Sequence, residues 1–140
     1  MIILDTNVVS ELMRPAPDPG VVAWVAGQGA LWLTAISEAE LRLGVALMPP
    51  GARASAVSAA VAAMLAEDFA GRILPFDGAA ARAYAAICAE RRAAGRPIAA
   101  FDAMIAAIAR ATGATVATRN QRDFEGCGVD IVNPWGLQQG

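Results

Sequence analysis

Short apolar runs punctuate this chain, and longer stretches with helical periodicity separate them. Ile2-Ile3-Leu4 is the first run. A continuous run of this length suits a strand buried on both faces, as in a parallel sheet. Asp5-Thr6-Asn7 ends it, and Val8 to Met13 reads as a short helix. Pro15, Pro17, Pro19 and Gly20 mark a loop, and Val21 to Ala26 a second short helix closed by Gly27 and Gly29. Leu31 to Thr34 is the second strand. Ser37 opens a helix through about Leu47, which Pro49-Pro50-Gly51 breaks. Ala52 to Phe69 is a long alanine-rich helix ended by Gly71, and Ile73 to Phe76 a short strand. Asp77 caps a helix that runs to about Ala94, with Gly95 as its stop. Pro97 opens the next, which carries Asp102 to about Ala111 before Gly113. Thr115 to Thr118 and Asp130 to Val132 are the fourth and fifth strands, and Asn133-Pro134-Trp135 closes the pattern.

Strands alternating with helices predict an α/β fold, a three-layer α/β/α sandwich around a mainly parallel sheet of four to five strands. No repeat or linker divides residues 1–140, so a single domain is expected.

Composition narrows the chemistry. Of 140 residues 34 are alanine, which favours helix. There is no histidine, so His triads, His bases and His metal sites are excluded. All eleven basic residues are arginine, which removes Schiff-base chemistry, a phosphate-loop lysine and the lysine a phosphoacceptor receiver domain wants. Cys88 and Cys127 are too few for a cysteine-rich zinc site and read as reduced residues of a helix and a loop. The net charge of −2 advertises no nucleic-acid surface, although a bound cation inverts the sign of an acidic pocket. No basic leader precedes Asp5 and no window is apolar enough to span a bilayer, so a cytoplasmic chain without membrane contact is expected.

The carboxylates carry the remaining chemistry. Ligands of open α/β sheets bind beyond the carboxyl ends of the strands. Asp5 follows the first strand, and Asn120 and Asp123 follow the fourth. Taken by itself, Asp5 reads better as a helix cap. Glu40 stands in Ser37-x-x-Glu40, the spacing of a capping box, and Glu38 competes with it for the inward face. Asp102 lies at the margin of the stripe formed by Ile98, Phe101, Ile105 and Ile108. A carboxylate there is costly unless paired or bound to a cation. Its alternative is an interaction with the helix N-terminus.

Acids and amides without His or Lys suit Mg²⁺ or Mn²⁺ and, through the ion, phosphodiester hydrolysis. Two carboxylates also suit glycoside hydrolysis, but a sugar cleft wants aromatics and these are only 6% of the chain. Three carboxylates gathered without a cation repel one another, so at least one raised pKa is expected.

Four segments then resemble one family. Met1-Ile2-Ile3-Leu4-Asp5-Thr6-Asn7 resembles the opening of PIN-domain proteins, Glu38-Ala39-Glu40-Leu41-Arg42-Leu43-Gly44 their second motif and Phe101-Asp102-Ala103-Met104-Ile105-Ala106 their third. Thr118-Arg119-Asn120-Gln121-Arg122-Asp123-Phe124 resembles the fourth, and Val132-Asn133-Pro134-Trp135 the last strand. Each is weak alone; their shared order over the chain is specific. The resemblance is to VapC-type toxins of toxin–antitoxin pairs, on the FitB-like branch.

It implies a Mg²⁺- or Mn²⁺-dependent ribonuclease, with RNA as substrate, working as a homodimer. It also implies a cognate antitoxin that blocks the site and through which alone operator DNA is bound. On this basis Asp5, Glu40 and Asp102 are candidate metal ligands and, with Asp123, catalytic candidates. Thr6, Asn7 and Asn120 are candidates for substrate contact, Asn7 equally a turn amide. Relatives often carry an acid where this chain has Asn120, and Asp123 stands three positions later. Arg14, Arg42, Arg119 and Arg122 are candidate RNA-backbone contacts, although any one of them taken by itself reads better as a solvated surface residue. A non-catalytic or weakly catalytic partner of a DNA-binding antitoxin is the alternative function. Trp24, Met48, Met64 and Leu65 are candidates for a dimer or antitoxin surface, or for core packing.

Overall fold

Five parallel strands in the order β3-β2-β1-β4-β5 form the centre of the structure, a computed structural model that describes residues 1–138. The strands are β1 (Ile2–Leu4), β2 (Leu31–Thr34), β3 (Ile73–Leu74), β4 (Thr115–Ala117) and β5 (Asp130–Val132). Helices fill the crossovers that parallel pairing requires. They are α1 (Thr6–Leu12), α2 (Pro19–Ala26), α3 (Ala35–Ala46), α4 (Ala52–Ala63), α5 (Gly78–Ala93), α6 (Ala100–Thr112) and α7 (Gln121–Phe124). A 3₁₀ turn over Pro134–Gln138 follows β5.

The two faces of the sheet read directly from residue alternation along each strand. Ile3 of β1, Trp32 of β2 and Val116 of β4 face one layer, where they meet Ile87 of α5, Ile105 and Ile108 of α6 and Phe124 of α7. Leu4, Leu31, Leu33 and Ala117 face the other, against Val8 and Val9 of α1, Val21 of α2, Leu41 of α3 and Val61 of α4. This is the expected three-layer α/β/α sandwich, with all strand pairings parallel.

Several boundaries differ from those the pattern predicts. Helix α3 starts at Ala35, not Ser37, because Thr34 ends β2 in an extended conformation and its hydroxyl accepts from the Ser37 amide at 3.1 Å. The predicted long helix stops as α-helix at Ala63 and widens into a π-helical turn over Met64–Asp68. Val61, Leu65 and Phe69 are all buried at spacings of four, which drift by about 40° per step in an α-helix; a wider turn keeps them on the core. Helix α6 starts at Ala100, since Ala99 is extended and Ile98 before it packs against the first core layer. The four-residue α7, anchored by the fully buried Phe124, was not predicted at all.

Of the four surface candidates, Leu65 is in the core and Trp24 and Met64 pack against it. The large apolar side chains left exposed are instead Met1, Val22, Leu43, Leu47 and Phe101. Among the described residues no helix is long and apolar enough to cross a membrane.

Candidate active site

The chain runs outward from β1 through β2 to β3, then returns to place β4 on the other side of β1. The β1/β4 boundary is therefore a topological switch point, and the crevice beyond its carboxyl ends is where such sheets bind ligands. Asp5 and Thr118 occupy those two ends. The Asp5 amide donates to the Ala117 carbonyl at 2.9 Å, which carries the ladder one residue past the strand.

Asp5 is a cap and more. Its Oδ1 accepts from the Thr6 amide at 2.8 Å, capping α1, while Oδ2 accepts from the Thr118 hydroxyl at 2.8 Å. Thr118 Oγ1 also accepts from the Asn120 amide at 3.0 Å and from Asn7 Nδ2 at 3.3 Å. One fully buried hydroxyl thus ties the loop after β4 to the loop after β1.

Glu40 reaches the same crevice from α3. The capping box that Ser37-x-x-Glu40 offers as the alternative does not form, because Thr34 takes the Ser37 amide. Ser37 and Glu40, three residues apart, share one helix face. Thr6 Oγ1 lies 2.9 Å from Ser37 Oγ and 2.8 Å from Glu40 Oε1. The Thr6 hydroxyl has one proton, which goes to the stronger acceptor, the carboxylate, and Ser37 then donates to Thr6. Glu38 turns outward to Arg42, Nε to Oε2 2.8 Å, which settles which glutamate faces inward.

Asp102 arrives in the first turn of α6. That helix has no side-chain cap, and among the described residues the Asp102 carboxylate accepts no hydrogen bond. The side chain is half-buried and is not the cap that its position allows. Burial, first, and then the charges of Asp5, Asp123 and Glu40 push its pKa from 3.8 up to about 6, against the pull of Arg91. Asp5 is also raised, mainly by burial, with Glu40 and Asp123 adding to it and the Thr118 hydroxyl and Thr6 amide opposing. Carboxylates from four separate segments therefore meet in one field, and where the sequence predicts at least one raised acid, both Asp102 and Asp5 are raised.

Asp123 stands exposed on α7, and Asn120 is exposed at the helix start with its side chain capping nothing. Asn7 is committed to the protein, its Nδ2 on Thr118 and its Oδ1 accepting from the Arg119 amide at 3.4 Å. Among the described residues no group of three or more His, Cys, Asp or Glu side chains closes on one point as a metal-binding set. A mainly apolar cavity of about 420 Å³, lined by Val9, Met13, Val25, Met64 and Phe69 among others, has none of these acids in its lining.

Sequence reasoning missed Thr118, Ser37 and Arg91. Thr118 follows its strand just as Asp5 does, a signal overlooked because a β-branched residue extends a strand prediction. Arg91 continues the buried line of Ala80 and Ile87 on α5. Its guanidinium is buried and donates to the carbonyls of Arg96 at 2.6 Å, Asp123 at 3.0 Å and Glu125 at 2.8 Å. It thereby pins α7 and the turn beyond it to the end of α5.

Comparison with known proteins agrees with this architecture. The PIN domain family model matches residues 2–126. The chain is 46% identical over 137 residues to VapC ribonuclease Y4jK of Sinorhizobium fredii, covering 96% of this chain and 98% of the relative. It is 44% identical over 137 residues to Toxin FitB of Neisseria gonorrhoeae, covering 96% and 99%. Among solved structures, that of FitAB bound to an IR36 DNA fragment superposes with a TM-score of 0.92 at 44% identity, covering 99% of this chain and 98% of that one. The fold is thus of the PIN class. The chain belongs to the PIN-domain family, on its VapC-type, FitB-like branch.

Proposed function

We propose that this protein is a metal-dependent endoribonuclease, the toxin of a type II toxin–antitoxin pair, hydrolysing RNA phosphodiester bonds at the crevice beyond β1 and β4. The observation that carries the reading is the convergence of Asp5, Glu40 and Asp123 on Asp102, whose carboxyl is pushed up to about 6 by burial first and by these three charges in addition. The relatives' names support a nuclease: one is a VapC ribonuclease and another a tRNA(fMet)-specific endonuclease VapC, 33% identical over 134 residues.

The donor set fits a hard divalent cation. It offers carboxylate oxygens with hydroxyls and amides beside them, and no nitrogen or sulfur ligand. Mg²⁺ ordinarily takes one or two protein carboxylates and keeps several waters, so a closed cage of three is not required. Asp5 and Asp102 would hold Mg²⁺ or Mn²⁺, with Glu40 completing the acidic set. When bound, such an ion neutralises charge building on the phosphate and makes water a better nucleophile at neutral pH.

The chain's own groups do the rest. Thr118 and the Thr6 amide fix both oxygens of Asp5, so that its remaining lone pairs point in set directions. Thr6 and Ser37 fix Glu40, which accepts a proton from the attacking water or orients it. Asp123 adds a fourth charge, and Asn120, whose side chain caps nothing, would supply the amide for substrate contact, Thr6 and Asn7 being engaged within the protein. Hydrolysis adds water across one P–O bond and releases the two RNA ends.

The similarity to FitB, and to a FitAB assembly on DNA, supports an antitoxin partner that brings this chain to operator DNA. The reading includes a homodimer acting in the cytoplasm. The test is cleavage of total RNA by the purified chain with Mg²⁺ or Mn²⁺ against the same assay in chelator. Cleavage that needs the ion and is lost in Asp5→Asn and Asp102→Asn supports it. Equal activity in wild type and Asp5→Asn refutes it, and leaves a DNA-regulatory partner of an antitoxin.

A further inference from the structure

The acids that would hold the ion also repel a polyanion. A substrate phosphate beyond the ion therefore needs a positive group on the rim of the crevice. Most arginines are already engaged. Arg14, Arg42, Arg96 and Arg110 pair with Glu11, Glu38, Glu125 and Glu90. Arg91 is buried on carbonyls, and Arg72 donates to the carbonyls of Leu31 and Asp68.

Arg119 differs. It follows Thr118 directly, so it leaves β4 beside the carboxylate that Thr118 holds. Its guanidinium carbon lies 5.1 Å from the centroid of the Trp135 ring, a cation–π contact. Among the described residues no hydrogen bond or ion pair uses the guanidinium N–H groups of Arg119. The ring is itself fixed. Asn133 Oδ1 accepts from the Trp135 amide at 3.0 Å, shaping the turn after β5, and Trp135 packs against the second core layer. The Asn133-Pro134-Trp135 segment thus presents a packed ring to an exposed arginine whose backbone amide donates to Asn7 Oδ1 at 3.4 Å, one residue from Thr118. An arginine held in this way loses little further freedom on binding, and its planar donors match phosphate oxygens.

We propose that Arg119, held over Trp135, is the fixed rim cation that binds a backbone phosphate of single-stranded RNA flanking the one cleaved. Arg119 is then a substrate-binding residue and Trp135 a positioning residue. The inference rests on the ribonuclease reading for its substrate, but its test reads binding alone.

The test is fluorescence anisotropy with a labelled single-stranded RNA oligonucleotide, titrated with the full chain carrying Asp102→Asn, in Mg²⁺ and over a range of salt. In that background Arg119→Gln should weaken binding about tenfold, the size of one charge-assisted contact. It should also reduce the slope of log K against log salt by about 0.7, one phosphate contact to a single strand. Trp135→Leu should lose part of that affinity, Trp135→Phe should recover most of it, and Trp135→Leu should add nothing once Arg119 is Gln. Arg53→Gln, an exposed arginine on α4, controls for net charge and should leave the affinity within twofold of its background. Unchanged affinity and slope in Arg119→Gln overturn the proposal, as do additive losses at 119 and 135. A loss in Arg119→Gln no greater than in Arg53→Gln overturns it too. If wild type cleaves no RNA while Arg119→Gln still weakens binding as described, the rim assignment stands and the nuclease reading falls.

Discussion

The Thr118 hydroxyl donates to Asp5 Oδ2 at 2.8 Å, joining the carboxyl ends of two neighbouring strands across the point where the sheet reverses its order. The same oxygen serves the Asn120 amide and Asn7. Thr118→Val keeps the shape and removes all three contacts from a fully buried position. A cost of about 1–3 kcal/mol is expected. Thr118→Ser keeps the hydroxyl and loses one methyl, about 1 kcal/mol or less. Urea unfolding of the two variants checks the order; equal losses would mean that the methyl, not the hydroxyl, matters there. The loss in cleavage rate should follow the same order, because Asp5 loses one of the two donors that orient it.

Asp102 makes the metal-free protein sensitive to pH in an unusual direction for an acid. Its folded pKa of about 6 lies above the ordinary 3.8, so the native state binds the proton more tightly than the unfolded chain. The stability this group contributes is present below about pH 4 and is lost as pH rises through 6. Asp5 is shifted in the same sense. Asp102→Asn cannot ionise. Relative to wild type, this variant should gain stability as pH rises from 4.5 through 6 in chelator and the gain should level off above that, measured as the difference in urea midpoints. A cation competes with the proton, so Mg²⁺ should stabilise wild type more at pH 7.5 than at pH 5 and should do much less for Asp102→Asn. A flat difference across this range would remove the acidic cluster as an electrostatic unit.

The strands were the most legible part of the sequence, because an apolar run such as Ile2-Ile3-Leu4 in an alternating pattern has few other uses. Asp5 was legible for the same reason, being the residue at which the run stops. Glu40 was not decided by its own surroundings. Ser37-x-x-Glu40 has the spacing of a capping box, and only the position of Thr34 at the end of β2 turns α3 so that Glu40 meets Thr6. Thr118 and Arg91 act through contacts with residues more than 30 positions away, which no local pattern contains. Helix α7 escaped notice because four residues are too few for a period to show.

Thr6 offers a way to separate holding a carboxylate from touching substrate. Its hydroxyl is 2.8 Å from Glu40 Oε1, and Thr6→Val removes the proton that fixes that oxygen. If the hydroxyl serves Glu40, kcat for RNA cleavage should fall about tenfold, the worth of one oriented hydrogen bond, with KM little changed. Thr6→Ser should restore most of the rate. A rise in KM at constant kcat would instead make Thr6 a substrate contact.

Arg91 is the deepest charge near the acids, and its donors end on backbone carbonyls. Arg91→Met fills similar space but leaves the carbonyls of Asp123 and Glu125 without this donor, at a cost of about 2–4 kcal/mol. At this chain length that corresponds to a fall in Tm of roughly 10 °C. Arg91→Lys should not rescue it, since one ammonium cannot span three acceptors that a planar guanidinium reaches together. Hydrogen exchange gives the finer check: amides of α7 should lose protection before those of α6, because α7 is what the guanidinium pins. Removing the positive charge also takes away an influence that lowers Asp102, so that carboxyl should titrate higher still. The pH at which half of the Mg²⁺-dependent activity is reached should then move upward in Arg91→Met. A variant that loses stability with its pH profile unmoved would make Arg91 a clamp on α7 alone.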